Sequence, residues 1–271
     1  MTGPVYANRD ISWLSFNHRV LHEAADETVP LYERISFLSI FSSNLDEFFR
    51  VRMPSILAVK KLTKNSRLEM DDDYPEGLSA RVQEIIEQQL DEYGLILREK
   101  IIPTLKQENI HLVYAEDFPD QFKTEAEQYF RSRVLTFLQP VWLDDLVPEP
   151  AFLENNALYF VLSLTKKDEQ TTRYALLNIP SDKMPRFRLF EAGASFTIVF
   201  LDDVIRQNLS VVFPGYNVGG CYAVKITRDA EIDVVEDLAT YMAESVEKMI
   251  EKRDLGAPTR FLYESSMPDE L

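Results

Sequence analysis

Apolar residues recur every three or four positions over three stretches of the first hundred or so residues, the period of amphipathic helices. Trp13, Phe16, Val20 and Leu21 predict a helix capped by Asp10 or Ser12, after an irregular lead-in over 1–9. Pro30 restricts Val29 and suits the first turn of a following helix. In that helix Leu31, Ile35, Leu38, Phe41, Leu45, Phe48 and Arg52 share one face. Ser42-Ser43-Asn44 interrupts it with residues whose short polar side chains compete for backbone groups. With Glu47 three positions on, Asn44 also fits an N-cap with a capping-box partner. The pattern therefore allows one long helix with a polar patch or a second helix starting at Asn44. Both place an amide side chain where a ligand can dock, and the second adds free backbone N–H groups. Lys60 to Pro75 lacks any apolar period and is expected to be a solvated linker. Leu78, Val82, Ile85, Ile86, Leu90, Tyr93, Leu97, Ile101 and Leu105 predict a helix over 76–108, roughly 45–50 Å long, which Pro103 should kink or whose regular part it should end.

From about residue 110 the period shortens. Ile110–Tyr114, Leu158–Thr165, Thr172–Ile179, Arg186–Phe190, Phe196–Leu201, Gly220–Thr227 and Arg260–Tyr263 are strand candidates. Helices are expected over Phe118–Leu138 (stripe Phe122, Ala126, Tyr129, Phe130, Val134), Asp202–Leu209 and Val235–Lys252. Pro214 to Gly220 is expected to be a turn, and Lys166 to Gln170 another. Strands and helices without regular βαβ alternation give an α+β fold in two domains. The expected division is an antiparallel helical bundle over 1–108 and a mixed α+β head over 109–271, which its C-terminal edge could truncate.

Charge narrows the function classes. The formal net charge is −16, with 13 basic against 18 acidic residues over 1–109 and 16 against 27 over 110–271. Such a surface disfavours non-specific nucleic-acid binding, so any phosphate site must be local or completed from elsewhere. One cysteine, Cys221, excludes an internal disulfide framework and reads as a small hydrophobe on an apolar strand. No transmembrane segment and no signal sequence is expected, which favours a cytoplasmic location with peripheral membrane association left open.

The motif search finds no complete catalytic set. His18 and His22, four apart on a helix, have the spacing of two metal ligands, but Arg19 breaks the His-Glu-x-x-His pattern and a solvent-facing pair is expected. His111 stands alone at a strand edge and reads as structural. No glycine begins a phosphate-binding loop. Asp71-Asp72-Asp73 lacks the spacing of a calcium loop. No catalytic residue and no metal ligand is assigned.

Longer motifs carry a family resemblance. Asn8-Arg-Asp-Ile-Ser-Trp-Leu-Ser-Phe-Asn-His-Arg-Val-Leu-His-Glu-Ala and Pro30-Leu-Tyr-Glu-Arg-Ile-Ser-Phe-Leu-Ser-Ile-Phe-Ser-Ser-Asn-Leu-Asp-Glu-Phe-Phe-Arg-Val-Arg resemble the amino-terminal domain of bacterial polyphosphate kinases. Arg173 to Phe187, Lys225 to Asp233 and Arg260 to Pro268 resemble that family's head domain in the same order. The resemblance implies reversible transfer of the terminal phosphate of ATP to inorganic polyphosphate through a phosphohistidine. It places the catalytic histidines in carboxyl-terminal domains of phospholipase-D-like fold, absent from this chain, so the fragment is expected to be inactive alone. It implies ATP contact at Asn44, with Arg50 and Arg52 able to offset Asp46 and Glu47. It also implies Mg2+, whose ligands lie outside this chain, and a homodimer or larger homo-oligomer built partly by the head. The partners expected are ATP or ADP, polyphosphate and the enzyme's own C-terminal domains, with no nucleic acid. The other class that the residues allow is a non-catalytic interaction or ligand-sensing helical module.

Overall fold

The computed structural model describes residues 8–58, 77–114, 116–143, 153–167, 171–229 and 256–271. The linker expected over Lys60–Pro75 and the helix expected over Val235–Lys252 lie outside them, as does part of the Lys166–Gln170 turn. Residues up to Glu108 form one compact unit, joined by the described residues of Arg228–Thr259; Asn109–Thr227 and Arg260–Leu271 form the second.

In the first unit α1 spans Arg9–Ala25 and α2 spans Leu31–Val51. The N-cap of α1 is Asn8, not Asp10 or Ser12: its Oδ1 accepts from the backbone N–H of Asp10 at 3.0 Å and of Ile11 at 3.1 Å. Asp10 lies inside the helix and is buried. The buried face of α1 is Leu14, Asn17, Leu21 and Ala24 rather than the stripe through Phe16, which is half exposed. A large aromatic is a poor guide to the inward face when its neighbours supply enough apolar surface. The last carbonyls of α1 are met by two cations, Arg34 Nε donating to Ala24 at 3.0 Å and Lys100 Nζ to Ala25 at 2.9 Å. Both hydrogen-bond orphaned C-terminal carbonyls and oppose the negative pole of the helix dipole.

The third helix, α3, begins at Leu78 and is α-helical to Leu95. It continues through a π-helical stretch over Ile96–Ile101 and an α-helical end over Ile102–Gln107. The regular part gives way before Pro103, though the rod continues, and Pro103 stands in its α-helical end. It follows a π stretch, the usual way a helix absorbs a local fault in its hydrogen bonding, and Asn109 at φ 59° then takes the chain out of the helix. Contacts Leu14–Gln89, His18–Glu92 and Ala25–Lys100 rise together, so α1 and α3 run parallel. Those of α1 with α2 run in opposite senses, which makes the bundle up-down-up.

The second unit is α+β. A five-stranded sheet has the order β2-β4-β3-β7-β8 (Pro140–Trp142, Thr172–Ile179, Leu158–Lys166, Tyr216–Arg228, Pro258–Tyr263). A three-stranded sheet has the order β1-β6-β5 (Ile110–Leu112, Ser195–Phe200, Phe187–Ala192), with β1 parallel to β6. Alternation along β3 divides its side chains between two faces. Phe160, Leu162 and Leu164 join the main core with Phe122, Ala126, Phe130 and Val134, while Tyr159 and Val161 pack with Leu176 and Val224. The segment expected to be one helix from Phe118 is instead 3-10 (Asp120–Phe122), α (α4, Lys123–Tyr129), π (Phe130–Val134) and 3-10 again (Leu135–Phe137). Its inward stripe is kept.

Pro214–Gly220 is mostly strand, not turn. Gly215, at φ 85°, makes the turn, and β7 begins at Tyr216. Ser163 pairs with Gly220 and Leu164 with Val218, leaving Gly219 as the extra residue of a bulge. A Cβ on Gly219 would come within 3.2 Å of Ser163 Oγ, so the two glycines mark close strand approach.

Helix α5 (Leu201–Gln207) opens with Asp202 and Asp203, and α6 (Leu209–Val212) follows. Carboxylates suit a helix N-terminus, yet burial works against both charges here. Asp202 accepts from Arg186 Nη2 at 2.7 Å, and burial still holds its carboxyl above the ordinary range. Asp203 is pushed up to about 6, by burial first, against the pull of Arg206 and with help from Asp202 and Glu264. A carboxyl raised in the folded state keeps its proton there to higher pH than in the unfolded chain. Stability therefore falls as pH rises from about 4 to about 6, and the cost persists above that. Replacing Asp203 with Asn should remove a pH-dependent penalty on the order of 2 kcal/mol. Urea denaturation of the 271-residue chain at about pH 5 and pH 7.5 checks this: the variant should lose less stability between the two than the parent, and an equal loss contradicts it.

Candidate functional site

The polar interruption in α2 does not start a helix. The chain is helical without a break from Leu31 to Val51, so the backbone N–H groups around Asn44 belong to the helix ladder and only its side chain is available. Of the two arrangements open from sequence, the structure has the long helix with a polar patch.

That patch is tied to α1. Asn44 Nδ2 donates to Asn17 Oδ1 at 3.0 Å, and Asn17 Nδ2 donates to the carbonyl of Phe41 at 3.2 Å. Asn17 is fully buried and Asn44 is half-buried. The contact uses one of the four hydrogen-bonding positions of the Asn44 amide and fixes its plane at the rim of the bundle. Around it, Trp13 and Phe48 pack at 5.1 Å between ring centroids and Phe41 stacks on Tyr93 at 5.7 Å. A polar pair framed by aromatic packing has little freedom to turn.

The two arginines both lie about two turns beyond. Arg50 Nε donates to Glu47 at 3.1 Å on the exposed surface. Arg52 Nη1 donates to buried Asp10 at 3.0 Å. Each cation therefore already faces a carboxylate, and the patch presents an oriented amide with its nearby positive charge largely offset. Sequence reading missed Asp10 and Asn17 as partners here. The available signal was the period itself: Leu14, Asn17, Leu21 and Ala24 form a helical stripe with a polar residue at its centre.

The histidines are distributed as follows. His18 Nε2 lies 2.6 Å from Glu92 Oε2 and His22 Nε2 lies 3.9 Å from Glu92 Oε1, so the pair meets an acidic side chain of α3 rather than solvent alone. His111 Nε2 is 3.1 Å from Glu116.

The second unit has a cavity of about 960 Å³, lined among others by Tyr114, Asp117, Arg186, Asp203, Arg206 and Ser265. Arg206 Nη2 donates to Glu264 at 2.6 Å and its Nη1 to the carbonyl of Cys221 at 3.0 Å. The thiol of Cys221 is pushed up to about 12 by burial, which leaves no thiolate for nucleophilic chemistry near neutral pH. Among its described lining residues the cavity holds the ion pairs Arg186–Asp202 and Arg206–Glu264.

The family model described as the polyphosphate kinase N-terminal domain matches residues 6–113, and that described as the polyphosphate kinase middle domain matches residues 121–271. A polyphosphate kinase of Vibrio parahaemolyticus is 35% identical over 276 residues, covering 98% of this chain and 38% of that protein. One of Escherichia coli is 31% identical over 273 residues, covering 98% and 39%. The crystal structure of polyphosphate kinase from Porphyromonas gingivalis matches with a TM-score of 0.79 at 33% identity, over 99% of this chain and 37% of that one. The chain thus spans under two-fifths of the length of these relatives, and across both of its units it belongs to the polyphosphate kinase family.

Proposed function

We propose that this chain forms the nucleotide-side wall of a polyphosphate kinase. In the whole protein the terminal phosphate of ATP passes to a histidine, with ADP leaving, and then to the terminal oxygen of polyphosphate, and the sequence runs in both directions. The observation that carries the reading is the Asn17–Asn44 pair at 3.0 Å, which holds an amide at the rim of the bundle. An amide can both donate and accept, and so can orient a nucleotide without contributing charge. The phosphates need cations, and Arg50 and Arg52 are engaged with Glu47 and Asp10. Most of the positive charge, and the histidine that carries the phosphate, come from residues beyond this chain.

Magnesium is assigned to those residues too. It takes oxygen ligands in octahedral geometry. Among the described residues the one converging set of three candidate ligands contains two imidazoles, and Glu47 beside Asn44 is bridged to Arg50. The second unit, acidic and closed by internal ion pairs, fits assembly into a homodimer or larger homo-oligomer better than contact with polyphosphate. No described helix is long and apolar enough to cross a membrane, which is compatible with a cytoplasmic enzyme.

Two experiments test this reading. In the full-length kinase, Asn44→Ala strands the Asn17 oxygen and costs about 1 kcal/mol of stability whatever Asn44 contacts, so kinetics well below the melting temperature decide. KM for ATP should rise by roughly tenfold, and further for Asn44→Asp, which turns a carboxylate toward phosphate. Unchanged KM in both variants contradicts contact with the nucleotide. Residues 1–271 alone should neither make polymer from ATP nor acquire label from γ-labelled ATP; synthesis or histidine labelling by this chain overturns the division of labour.

A further inference from the structure

We propose that His18, His22 and Glu92 form a binding site for a late first-row divalent cation, zinc being the one their donor set suits best. The two histidines are four apart on α1, so their rings project from one face, with centroids 4.2 Å apart. Both Nε2 atoms point at a single carboxylate on α3, at 2.6 Å and 3.9 Å from its two oxygens. One ligand atom from each of the three residues can be chosen so that all lie within 4.8 Å of one another. Tetrahedral zinc with bonds of about 2.0–2.1 Å separates its ligand atoms by about 3.3 Å. Closing the present triangle around an ion therefore needs shifts of an ångström or so, which side-chain rotation supplies.

The backbones are already in place. Gln89 Nε2 donates to the carbonyl of Leu14 at 3.1 Å and Lys100 Nζ to that of Ala25 at 2.9 Å, so α1 and α3 are pinned on both sides of the site. The ligands thus sit on rigid helices with mobile ends, a favourable arrangement for metal capture. The side chains are partly exposed, 36% for His18, 56% for His22 and 37% for Glu92, which leaves room for a water in the fourth position. Two imidazoles and one carboxylate match the three-ligand sets of zinc and are a poor set for magnesium or calcium, which prefer oxygen throughout. The chain's net charge of −16 favours cations at its surface generally, and the imidazoles supply the selectivity. The site is separate from Asn44 and makes no demand on the phosphoryl-transfer chemistry.

The test uses the 271-residue chain, stripped with a chelator and titrated with zinc chloride by calorimetry, with cobalt(II) as a spectroscopic probe. One zinc should bind per chain, and cobalt(II) should give the visible bands of a four-coordinate site. His22→Ala and Glu92→Gln should each weaken zinc binding at least roughly tenfold, since even a partner one step removed from a metal costs 10–100-fold. Their melting temperatures without zinc should stay close to that of the parent, because both residues are partly exposed. Cys221→Ser should leave the affinity unchanged. Absence of one-to-one binding, retention of full affinity in both ligand variants, or loss of affinity in Cys221→Ser each overturns the site and leaves the three residues as an ion-pair cluster only.

Discussion

Buried polar groups of α1 must find partners, and four of those contacts are made by α2 and its C-cap Arg52. Asp10 takes Arg52, Asn17 takes Asn44 and the carbonyl of Phe41, and the carbonyl of Ala24 takes Arg34. Apolar packing alone would tolerate a slide of one turn between two helices at modest cost, because a Leu fits many holes. Each of these polar contacts would be broken by such a slide, and each group left behind would be buried without a partner. The contacts therefore set the register of the bundle as well as adding to its stability. Asn44 is where this register reaches the surface.

The same feature supports the role proposed for the bundle beside a nucleotide. An amide fixed from behind selects orientation, while charge on α2 is balanced locally by Glu47 and Asp10.

Much of the architecture was legible in the sequence because hydrophobic period is read directly. Helices α1, α2 and α3 and the strands β3, β4, β6 and β7 stand close to their expected positions, and the α+β class of the second unit follows from the mixed texture after residue 110. What the sequence hid was decided by contacts distant along the chain. Phe16 is the larger side chain, yet Leu14 and Asn17 turn inward because α2 and α3 meet them there. Asn44 has the local signature of a cap, but continuous packing of Phe41, Leu45 and Phe48 carries the helix through it. Gly219 and Gly220 read as turn residues, whereas pairing with Ser163 makes them a bulge. Glu92, seventy-odd positions from the histidines, could be joined to them only by folding.

The proposed dependence of a nucleotide contact on the helix–helix register is measured most directly by a double-mutant cycle on Asn17 and Asn44 in the full-length kinase, with KM for ATP and urea stability as readouts. Asn17 is fully buried and cannot reach a ligand. If it positions Asn44, Asn17→Ala alone should raise KM for ATP much as Asn44→Ala does, and the double variant should be little worse than either single one. A normal KM in Asn17→Ala, or effects on KM that simply add, would mean that the buried pair holds the bundle together without setting the nucleotide site.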